Sequence, residues 1–420
     1  MRGYGRAEEN FPIRIERASI RTRNIVTRIA LKPSNFSWYD YSRYTFSLGL
    51  KVGDRTFLSG HSASEYDPAW KNIVVKGGMA EQTRTAYAKI AAILEAGGQS
   101  LADVVRVVEY VTTAGIEHYA EAAQVRGEAF GLNRPALNTV VVKSLLRPQA
   151  LIEIEVTANK SASTATVSAA RGNVAPAWAP GRAADGVVYL SSILPHDDFG
   201  GVVAPGDVTA QTRAIFERAS QVLKSFGLTM ENVVKTVDYI NPAALPDYKS
   251  TGRVRREYLA PVYPAATGII MPRVSHPGAM IQVDFTASHY PKTVVNPGWS
   301  RYAELTYSPA VRAGDALFIA GMAALDPATG NAVHAGDIAT QTAFVYENIL
   351  RTVAAAGGGP EHLAKTVEYV TSAALPRYRE VAGVRTRLLR EPYPPSTGVI
   401  CETLLRPEFQ IEIDSLAILD

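Results

Sequence analysis

The dipeptide Gln82-Thr83 recurs as Gln211-Thr212 and as Gln341-Thr342, at offsets of 129 and then 130 residues. The same offsets connect further matching positions, among them Gly98, Gly227 and Gly357, the motifs Val108-x-Tyr110, Val237-x-Tyr239 and Val367-x-Tyr369, and Pro135, Pro264 and Pro394. So many matches in one frame indicate an internal repeat. Because each unit is long enough to form its own core, the chain is predicted to consist of three tandem domains and not a solenoid.

The repeat frame places the three domains at residues 44–158, 176–288 and 305–418. Residues 160–174 between the first two domains are rich in Ser, Thr and Ala, a composition that is typical of a linker. Residues 1–43 lie outside the repeat and form a basic N-terminal extension, which is expected to pack as an arm on a neighbouring domain. A chain of 420 residues agrees with about three domains.

Hydrophobic periodicity predicts the same order of elements in every repeat. Apolar, β-branched runs beside turn residues predict strands, and apolar residues on one helical face predict two helices. In the first repeat the strands are predicted at residues 57–60, 104–111, 139–143 and 151–156, and the helices at 82–98 and 119–130. The order β-β-α-β-α-β-β, with one further strand possible at the front, predicts an α+β fold in which a mixed sheet carries two helices on one face.

The last strand of each repeat alternates between apolar and polar residues. Ile152 and Ile154 alternate with Glu153 and Glu155, and the pattern recurs in Ile281-Gln282-Val283-Asp284 and Ile411-Glu412-Ile413-Asp414. Because successive side chains of a strand point to opposite faces, isoleucines that face the helices leave the carboxylates on the far face of the sheet. Three sheets can turn these polar faces toward one another.

Composition excludes several classes of protein and partner. Hydrophobic residues make up 47% of the chain and charged residues 20%, which is typical of a packed globular protein. The net charge of +3 is too small to suggest a nucleic-acid partner. No apolar stretch reaches the roughly 18 residues of a membrane span, and the start of the chain lacks the apolar region of a signal peptide. We therefore expect a cytoplasmic protein with no nucleic-acid or membrane partner.

Histidine and cysteine do not suggest a metal site. The seven histidines neither repeat in frame nor form pairs with metal-ligand spacing, so no metal or other cofactor is expected. Cys401 is the single cysteine, which excludes intramolecular disulfides. Its in-frame counterparts, Val142 and Met271, are apolar, which favours a buried structural thiol over a nucleophile.

Three arginines recur in the second helix of the repeats, namely Arg126, Arg255 and Arg385. They lie near acidic residues such as Glu128 and Glu257. A structural ion pair or a contact between domains is therefore favoured over a role in ligand binding.

The repeats resemble the RidA/YjgF (reactive-intermediate deaminase, formerly L-PSP endoribonuclease) family. The resemblance rests on the Phe-Leu-Ser-Gly type strand, the Gln-Thr helix that ends in Gly, the Val-x-x-Val-x-x-Tyr strand, the Pro-Ala/Ser-Thr-Gly turn and the Ile-Glu-Ile-Glu strand. It implies three RidA-like (chorismate-mutase-like) domains arranged as an intramolecular pseudo-trimer, with small-molecule sites in the clefts between domains. The whole chain would then be monomeric or form a weak higher oligomer.

The resemblance also indicates a departure from the family's standard 2-iminoacid deaminases. Their carboxylate-binding Arg, fourteen residues before the last strand, corresponds to Asn138, Thr267 and Thr397, and so no repeat keeps it. Arg forms a bidentate fork with a carboxylate, whereas Thr offers one hydroxyl. The two threonines either hydrogen-bond a substrate carbonyl or cap the turn before the following glycine.

The carboxylate that the family places on the last strand corresponds to Glu153 and Glu412, whereas the second repeat has Gln282. A carboxylate near a cleft is able to activate water, so Glu153 and Glu412 are the candidate catalytic residues. The alternative is that they are solvated or salt-bridged strand carboxylates.

Further substrate-binding candidates follow from the resemblance. Besides Asn138, Thr267 and Thr397, they are the aromatic wall residues Phe46, Trp178 and Tyr307, the serines Ser59 and Ser191 (matched by Ala320), and Arg406. Arg406 occupies the same repeat position as Arg147 and His276. These three residues could take the place of the missing Arg if the clefts extend to them. Solvent exposure is the alternative for this set.

The sequence favours an enzyme of the hydrolase or deaminase type, which acts on a small polar metabolite by water-dependent C–N chemistry. Loss of the family Arg from every repeat leaves a non-catalytic small-molecule binder or assembly component as the alternative. Two further alternatives have a comparable three-part plan: an amidohydrolase like cyanuric acid hydrolase or barbiturase, and a chorismatase-like enzyme. The former needs a Ser-Lys pair in each repeat, but Lys143 is matched by Pro272.

Overall fold

The computed structural model describes residues 26–166 and 178–420. Residues 1–25, which are most of the basic extension, and residues 167–177, which include the end of the predicted linker, lie outside the described residues. Three α+β domains follow one another along the chain, each with one mixed sheet and two α-helices.

Eight elements recur in the same order in the three domains, and the first domain adds three further strands. In the first domain they are β1 (Arg28–Ala30), β2 (Gly49–Val52), β3 (Arg55–Leu58), β4 (Ser64–Asp67), β5 (Asn72–Val75), α1 (Met79–Ala96), β6 (Val104–Thr112), α2 (Tyr119–Phe130), β7 (Ala136–Val142), β8 (Ser144–Leu145) and β9 (Ile152–Asn159). In the second they are β10 (Ala162–Thr166), β11 (Gly181–Ala184), β12 (Val187–Leu190), α3 (Val208–Lys224), β13 (Val233–Ile240), α4 (Gly252–Leu259), β14 (Ala265–Ile270) and β15 (Ile281–Ser288). In the third they are β16 (Lys292–Val295), β17 (Ala310–Ala313), β18 (Ala316–Ala323), α5 (Ile338–Ala355), β19 (Leu363–Val370), α6 (Val381–Leu388), β20 (Ser396–Ile400) and β21 (Ile411–Ile418). The additional strands of the first domain are β4, β5 and β8, of which β4 and β5 form a separate two-stranded sheet.

The three sheets share one topology. Their strand orders are β1-β2-β3-β9-β6-β7, β10-β11-β12-β15-β13-β14 and β16-β17-β18-β21-β19-β20-β8. The pairs β6–β7, β13–β14 and β19–β20 are parallel, because a helix crosses over between their strands, and the other named pairs are antiparallel. The last strand of each domain therefore lies in the middle of its sheet.

The predicted extra strand at the front is present in every domain as β2, β11 or β17, and a further, unpredicted strand lies at the sheet edge beside it. β1, β10 and β16 pair with β2, β11 and β17. Part of the segment interpreted as an extension outside the repeat, and part of the segment interpreted as a linker, thus belong to sheets. The interpretation was wrong there because edge strands this short carry few apolar positions, so their sequence pattern resembles that of a loop.

The helices cover one face of each sheet, as the periodicity predicts. In the first domain, Ile90, Ile93 and Leu94 of α1 pack with Ile152 and Ile154 of β9 in one buried cluster. Equivalent clusters form the cores of the other two domains. Of the helices in the described residues, none is long and apolar enough to cross a membrane.

The opposite faces of the three sheets meet in the middle of the molecule. Two clusters of buried residues combine all three domains, one of them around Tyr110, Tyr239 and Tyr369 and the other around Phe57, Tyr189 and Phe318. β8 of the first domain also extends the sheet of the third by pairing with β20. These contacts fit an intramolecular pseudo-trimer.

A cavity of about 80 Å³ lies where the three sheets meet. Its walls contain the three tyrosines Tyr110, Tyr239 and Tyr369, the cations Arg106, Lys235 and Lys365, and the carboxylates Glu155, Asp284 and Asp414. Nearby, the guanidinium of Arg55 in the first domain binds Asp185 of the second and Asp315 of the third. One side chain therefore connects all three domains.

Candidate functional site

Three interfaces between neighbouring domains are built from equivalent elements, and the resemblance implies a cleft at each. In each, the residue two positions before β2, β11 or β17 donates a backbone hydrogen bond to a proline that precedes β20, β7 or β14 of a neighbouring domain: Ser47 to Pro394, Ala179 to Pro135 and Ser308 to Pro264. The clefts are named here after the residue on the central strand: the Glu153 cleft (first and third domains), the Gln282 cleft (second and first) and the Glu412 cleft (third and second).

The Glu153 cleft holds its carboxyl group in a tight space. Glu153 is only 9% exposed. A Cβ added to Gly60 would overlap Oε1 of Glu153 and lie 2.7 Å from Cγ2 of Thr397. The backbone N–H of Gly60 donates to the hydroxyl of Thr397 at 2.9 Å. Glu153 is therefore packed against the backbone of its own domain and a threonine of the neighbour.

The Glu412 cleft repeats this arrangement. Glu412 is 5% exposed. A Cβ added to Gly321 would overlap Oε1 of Glu412 and approach Cγ2 of Thr267 to 2.7 Å. Thr267 is thus the counterpart of Thr397, and the two candidate catalytic residues occupy equivalent surroundings.

Both carboxyl groups titrate near neutral pH. Burial raises the pKa of Glu153 to about 8, with a further increase from Glu155 and an opposing effect from Lys89. Burial likewise raises the pKa of Glu412 to about 8, with Asp414 adding to the increase and Lys235 opposing it. A group with a pKa near the ambient pH both donates and accepts protons, which suits general acid–base catalysis.

The Gln282 cleft has no carboxyl group at this position. Ser192 occupies the position of Gly60 and Gly321, and its hydroxyl accepts a hydrogen bond of 2.9 Å from Nε2 of Gln282. Nε2 also donates to the carbonyl of Thr139 at 2.8 Å. Gln282 is therefore tied into the domain interface as a neutral group.

A buried ion pair lies beneath each cleft, and one neutral side chain is hydrogen-bonded to it: Asn138, Thr267 or Thr397. The Thr397 hydroxyl donates to Glu155 at 2.6 Å, and Lys365 donates to the same carboxylate at 2.5 Å. In the Glu412 cleft, the hydroxyl of Thr267 donates to Asp414 at 2.8 Å and accepts from Lys235 at 2.9 Å. The two threonine hydroxyls thus form structural hydrogen bonds within the interface.

In the Gln282 cleft the same positions hold different groups. Nε of Arg106 donates to Asn138 at 2.9 Å, and Nη2 of Arg106 lies 3.4 Å from Asp284. Nδ2 of Asn138 donates to the carbonyl of Leu190 at 3.2 Å. The cation, the second carboxylate and the residue at the position of the family Arg therefore form one network in each of the three clefts.

The sequence interpretation overlooked the cations of these networks. Arg106, Lys235 and Lys365 recur at the repeat offsets, and so do Glu155, Asp284 and Asp414. A cation that recurs on one strand of every repeat and an anion that recurs on another strand could have indicated ion pairs from the sequence. Their pairing was not visible there because each pair joins two different domains.

Ser59 and Ser191 lie at the joints between domains. The hydroxyl of Ser59 donates to the carbonyl of Ser47 at 2.7 Å and accepts from the N–H of Ser396 in the third domain at 2.9 Å. Ser191 makes the equivalent bonds to Ala179 and Leu137, at 2.6 and 2.8 Å. Both side chains are buried and hold the backbones of two domains together at the edge of a cleft.

The predicted aromatic residues are half-buried, and two of them belong to larger groups of rings. Phe46 stacks on Tyr44 with ring centroids 4.9 Å apart, and Tyr44 lies 5.9 Å from Tyr39. These rings belong to residues 36–46, called here the first aromatic segment. Glu153 contributes to the raised pKa of Tyr39, so the segment and the carboxyl group interact electrostatically.

The Glu412 cleft has a similar group of rings at residues 299–307, called here the second aromatic segment. Tyr307 packs edge-on against Tyr302 at 5.5 Å, and Trp299 stacks on Tyr302 at 5.9 Å. Glu412 contributes to the raised pKa of both tyrosines. Trp178 of the Gln282 cleft packs instead against the core of the first domain.

Arg406 lies 6.0 Å above the ring of Phe409. In the Glu412 cleft, the guanidinium of Arg301 lies 5.5 Å from the ring centroid of Tyr302. Its charge opposes the rise in the pKa of Tyr302 and Tyr307. In the Glu153 cleft, Arg147 opposes the rise in the pKa of Tyr39.

The three in-frame arginines form buried ion pairs, but the partners suggested by the sequence were wrong. Arg126, Arg255 and Arg385 bind Glu109, Asp238 and Glu368 on the first strand of each parallel pair. Glu128 and Glu257 bind Arg84 and Arg213 at the surface. The error arose because neighbours along the chain were preferred to residues on the sheet beneath the helix.

Cys401 is fully buried, and burial raises the pKa of its thiol to about 12. A thiol that stays protonated at neutral pH is a poor nucleophile. The structure thus places Cys401 in the core that the three domains share.

Comparison with known proteins identifies the repeat. The model of the family described as Endoribonuclease L-PSP matches residues 41–160, 170–289 and 300–419. A RutC family protein from Pyrococcus horikoshii is 39% identical over 115 residues, which cover 27% of this chain and 86% of that protein.

Solved structures are similar to single domains. A member of the YjgF/YER057c/UK114 family from Mycobacterium tuberculosis is 31% identical and covers 32% of this chain and 99% of its own, with a TM-score of 0.26. RidA from the Antarctic bacterium Psychrobacter is 30% identical and covers 27% of this chain and 89% of its own, with a TM-score of 0.25. Since the family model matches most of the chain in three successive copies, the chain belongs to the Endoribonuclease L-PSP (RidA/YjgF) family, with three family domains in tandem.

Proposed function

We propose that this protein is an enzyme that acts on a small polar metabolite by water-dependent C–N chemistry in the Glu153 and Glu412 clefts. The observation that carries the proposal is the pair of buried carboxyl groups with a pKa of about 8, each beside a group of aromatic rings. The Gln282 cleft lacks a titratable group at this position and is proposed to be inactive.

The chemistry follows from the two protonation states of these carboxyl groups. The protonated form donates its proton to the nitrogen of a C=N bond, which makes the carbon more electrophilic. The resulting carboxylate then accepts a proton from the water that adds to that carbon. Proton transfer to the nitrogen of the adduct, followed by cleavage of the C–N bond, releases ammonia or an amine and leaves a carbonyl group.

The substrate is proposed to differ from the usual 2-imino acids. Asn138, Thr267 and Thr397 replace the carboxylate-binding Arg of the family's deaminases, and their side chains are engaged in the interface networks. A bidentate carboxylate contact is therefore not available at this position. The aromatic segments favour a substrate with a planar group.

The test is ammonium release from a panel of small imines, amides and ureides. Glu153→Gln combined with Glu412→Gln is expected to lower turnover by about 10²- to 10⁴-fold, the usual effect of losing a general acid–base group. Each single variant is expected to remove the contribution of one cleft. Glu128→Gln combined with Glu257→Gln changes two exposed carboxylates in the same way and serves as the matched control.

Full turnover in the Glu153/Glu412 double variant would exclude these carboxyl groups as catalysts. The engaged side chains at the position of the family Arg also favour a second candidate, a non-catalytic binder. Thermal stabilisation by members of the panel without ammonium release would support that function instead.

A further inference from the structure

The space where the three sheets meet, called here the central cavity, is separate from the three clefts. Its volume is about 80 Å³, and residues of all three domains line it. Since a water molecule occupies about 30 Å³ in the liquid, the central cavity has room for about two or three waters or for one molecule of similar total size.

The walls of the central cavity do not include the residues after which the clefts are named. On each central strand, the second polar residue lines the central cavity, whereas the cleft residue two positions earlier does not. The lining residues are Glu155, Asp284 and Asp414, and the cleft residues are Glu153, Gln282 and Glu412. The central cavity is therefore a distinct site, formed by the three domains together.

Three tyrosine hydroxyls give the central cavity more hydrogen-bond donors than the described residues accept. Tyr110, Tyr239 and Tyr369 line it, and all three are buried. The hydroxyls of Tyr239 and Tyr369 lie 3.4 Å apart and share one hydrogen bond, whereas the described residues offer no acceptor to the hydroxyl of Tyr110. Burial raises the pKa of Tyr110, so its hydroxyl keeps its proton. Because buried donors in proteins are nearly always bonded, these hydroxyls indicate an acceptor inside the cavity.

The central cavity also has a free acceptor. Oδ2 of Asp414 accepts from the hydroxyl of Thr267 at 2.8 Å and lies 3.1 Å from Nζ of Lys235. Within the described part of the chain, Oδ1 of Asp414 receives no hydrogen bond. Since a carboxylate only accepts, a ligand that complements it offers an N–H or O–H group.

The formal charges of the walls cancel. Three cations meet three carboxylates in the ion pairs Arg106–Asp284, Lys235–Asp414 and Lys365–Glu155, at 3.4, 3.1 and 2.5 Å. An ion that entered the central cavity would lose its hydration and find no unpaired opposite charge. The walls therefore favour a neutral ligand over an anion or a cation.

We propose that the central cavity binds one small neutral molecule that carries both a carbonyl oxygen and an N–H group, such as a small primary amide. Its oxygen accepts from the tyrosine hydroxyls, and its N–H group donates to Oδ1 of Asp414. This binding site goes beyond the reaction proposed for the clefts and does not depend on it.

The experiment compares formamide, formate and formamidinium, which are nearly equal in size and are neutral, negative and positive. Protein labelled with ¹³C in the tyrosine rings is titrated with each probe at constant pH and ionic strength. Prolonged incubation allows for slow entry into an enclosed site. Tyr110→Phe, Tyr239→Phe and Tyr369→Phe assign the three resonances. Formamide is expected to shift them with a dissociation constant of about 1 mM or weaker, as befits so small a ligand, whereas the two ions are expected to leave them in place.

Removal of one hydroxyl tests the contribution of the donors. In Tyr110→Phe, followed at the two remaining tyrosines, formamide is expected to bind about threefold to tenfold more weakly, the effect of one lost hydrogen bond. Tyr66→Phe makes the same change at a side chain that is 51% exposed, and this control is expected to keep the affinity of the unmodified protein.

Three results would overturn the proposal. Saturable shifts with formate or formamidinium, but not with formamide, would mean that the central cavity binds an ion. Tyrosine resonances that respond to none of the probes would leave water as its content. Equal affinity of folded Tyr110→Phe and the unmodified protein would place formamide elsewhere. The comparison of probes uses the unmodified protein and no turnover, so it decides this proposal even if a variant does not fold or the proposed function fails.

Discussion

Gly60 and Ser192 occupy the same position in two domains, and the difference between them decides which group fits beside the central strand. At Gly60 the absent side chain leaves room for the carboxyl of Glu153. At Ser192 the hydroxyl fills this space, donates to Asp284 at 2.6 Å and accepts from Gln282. The two positions thus differ as a pair, with Gly and Glu in the first and third domains and Ser and Gln in the second.

This pairing predicts non-additive stability effects. Gly60→Ser is expected to lower the free energy of unfolding by roughly 1–3 kcal/mol, because the added atoms overlap the carboxyl of Glu153. Adding Glu153→Gln recreates the pair of the second domain and is expected to recover at least about 0.5 kcal/mol of that loss. Urea denaturation of the four proteins of this double-mutant cycle measures the coupling.

The control for this cycle is Gly78→Ser, since a Cβ at Gly78 meets open space and serine is a favourable residue at the start of a helix. It is expected to be neutral or slightly stabilising. Strict additivity of Gly60→Ser and Glu153→Gln would contradict the proposed pairing.

At the scale of elements, the first aromatic segment forms a packed unit that interacts electrostatically with Glu153 through Tyr39. Phe36 packs edge-on against Trp38, Tyr39 and Tyr41 at 5.1 to 5.4 Å, so the segment contains its own cluster of rings. A backbone hydrogen bond of 2.6 Å from Tyr66 to Trp38 attaches it to β4. Burial is the main cause of the raised pKa of Glu153, and we expect this segment to provide part of that burial as a cover of the carboxyl group.

Removal of part of the cover predicts a change in the pH dependence of stability. With a pKa raised from 4.5 to about 8, folded Glu153 keeps its proton where the unfolded chain has lost it. The contribution of Glu153 to the free energy of unfolding is therefore fully present below pH 4.5 and is lost as the pH rises to about 8. In Tyr39→Ala, the loss of unfolding free energy between pH 5 and pH 9 is expected to be smaller by roughly 1–2 kcal/mol.

Urea denaturation at both pH values checks this prediction, with Trp70→Ala as the control because Trp70 is 78% exposed. The control is expected to keep the pH dependence of the unmodified protein. If Tyr39→Ala kept it as well, the first aromatic segment would not be the cover of Glu153.

Elements that depend on local sequence were predictable, whereas contacts between domains were not. The helix predicted at residues 119–130 coincides with α2, because its apolar spacing reports directly which face is buried. The alternation of β9 placed Glu153 on the face opposite the helices. The partner of Thr397 is Glu155 of another domain, and the position of Tyr39 lies outside the repeat frame. Such contacts depend on how the folded domains pack against one another, and the local hydrophobic pattern of the sequence carries no information about that packing.

At the scale of the whole molecule, Arg55 holds the three domains together near their common centre. Its guanidinium is 13% exposed and binds Asp185 and Asp315 at once. Arg suits this role, because its planar group offers several donors to two carboxylates. Without it, the two aspartates of different domains would face each other with uncompensated charge.

Arg55→Met is therefore expected to lower the free energy of unfolding by roughly 1–2 kcal/mol, a value reduced for the partial exposure of the pair. Adding Asp185→Asn and Asp315→Asn is expected to recover part of this loss, since it removes the repulsion. Thermal denaturation at low and high salt checks both effects, and Arg28→Met, which breaks the ion pair with Asp420, serves as a comparison. Equal stability of the Arg55→Met protein and its triple variant would argue against this repulsion.

The contact of one arginine with two aspartates has a consequence for how such a protein can change over generations. In an assembly of three identical chains, any mutation occurs in all three subunits. An arginine at this position would therefore bring three guanidinium groups to the same point. A single gene that encodes all three domains can place arginine in one domain and uncharged residues at the equivalent positions of the others, Val187 and Ala316. Covalent fusion thus allows a single charged side chain at the centre, whereas strict threefold symmetry allows such side chains only in sets of three.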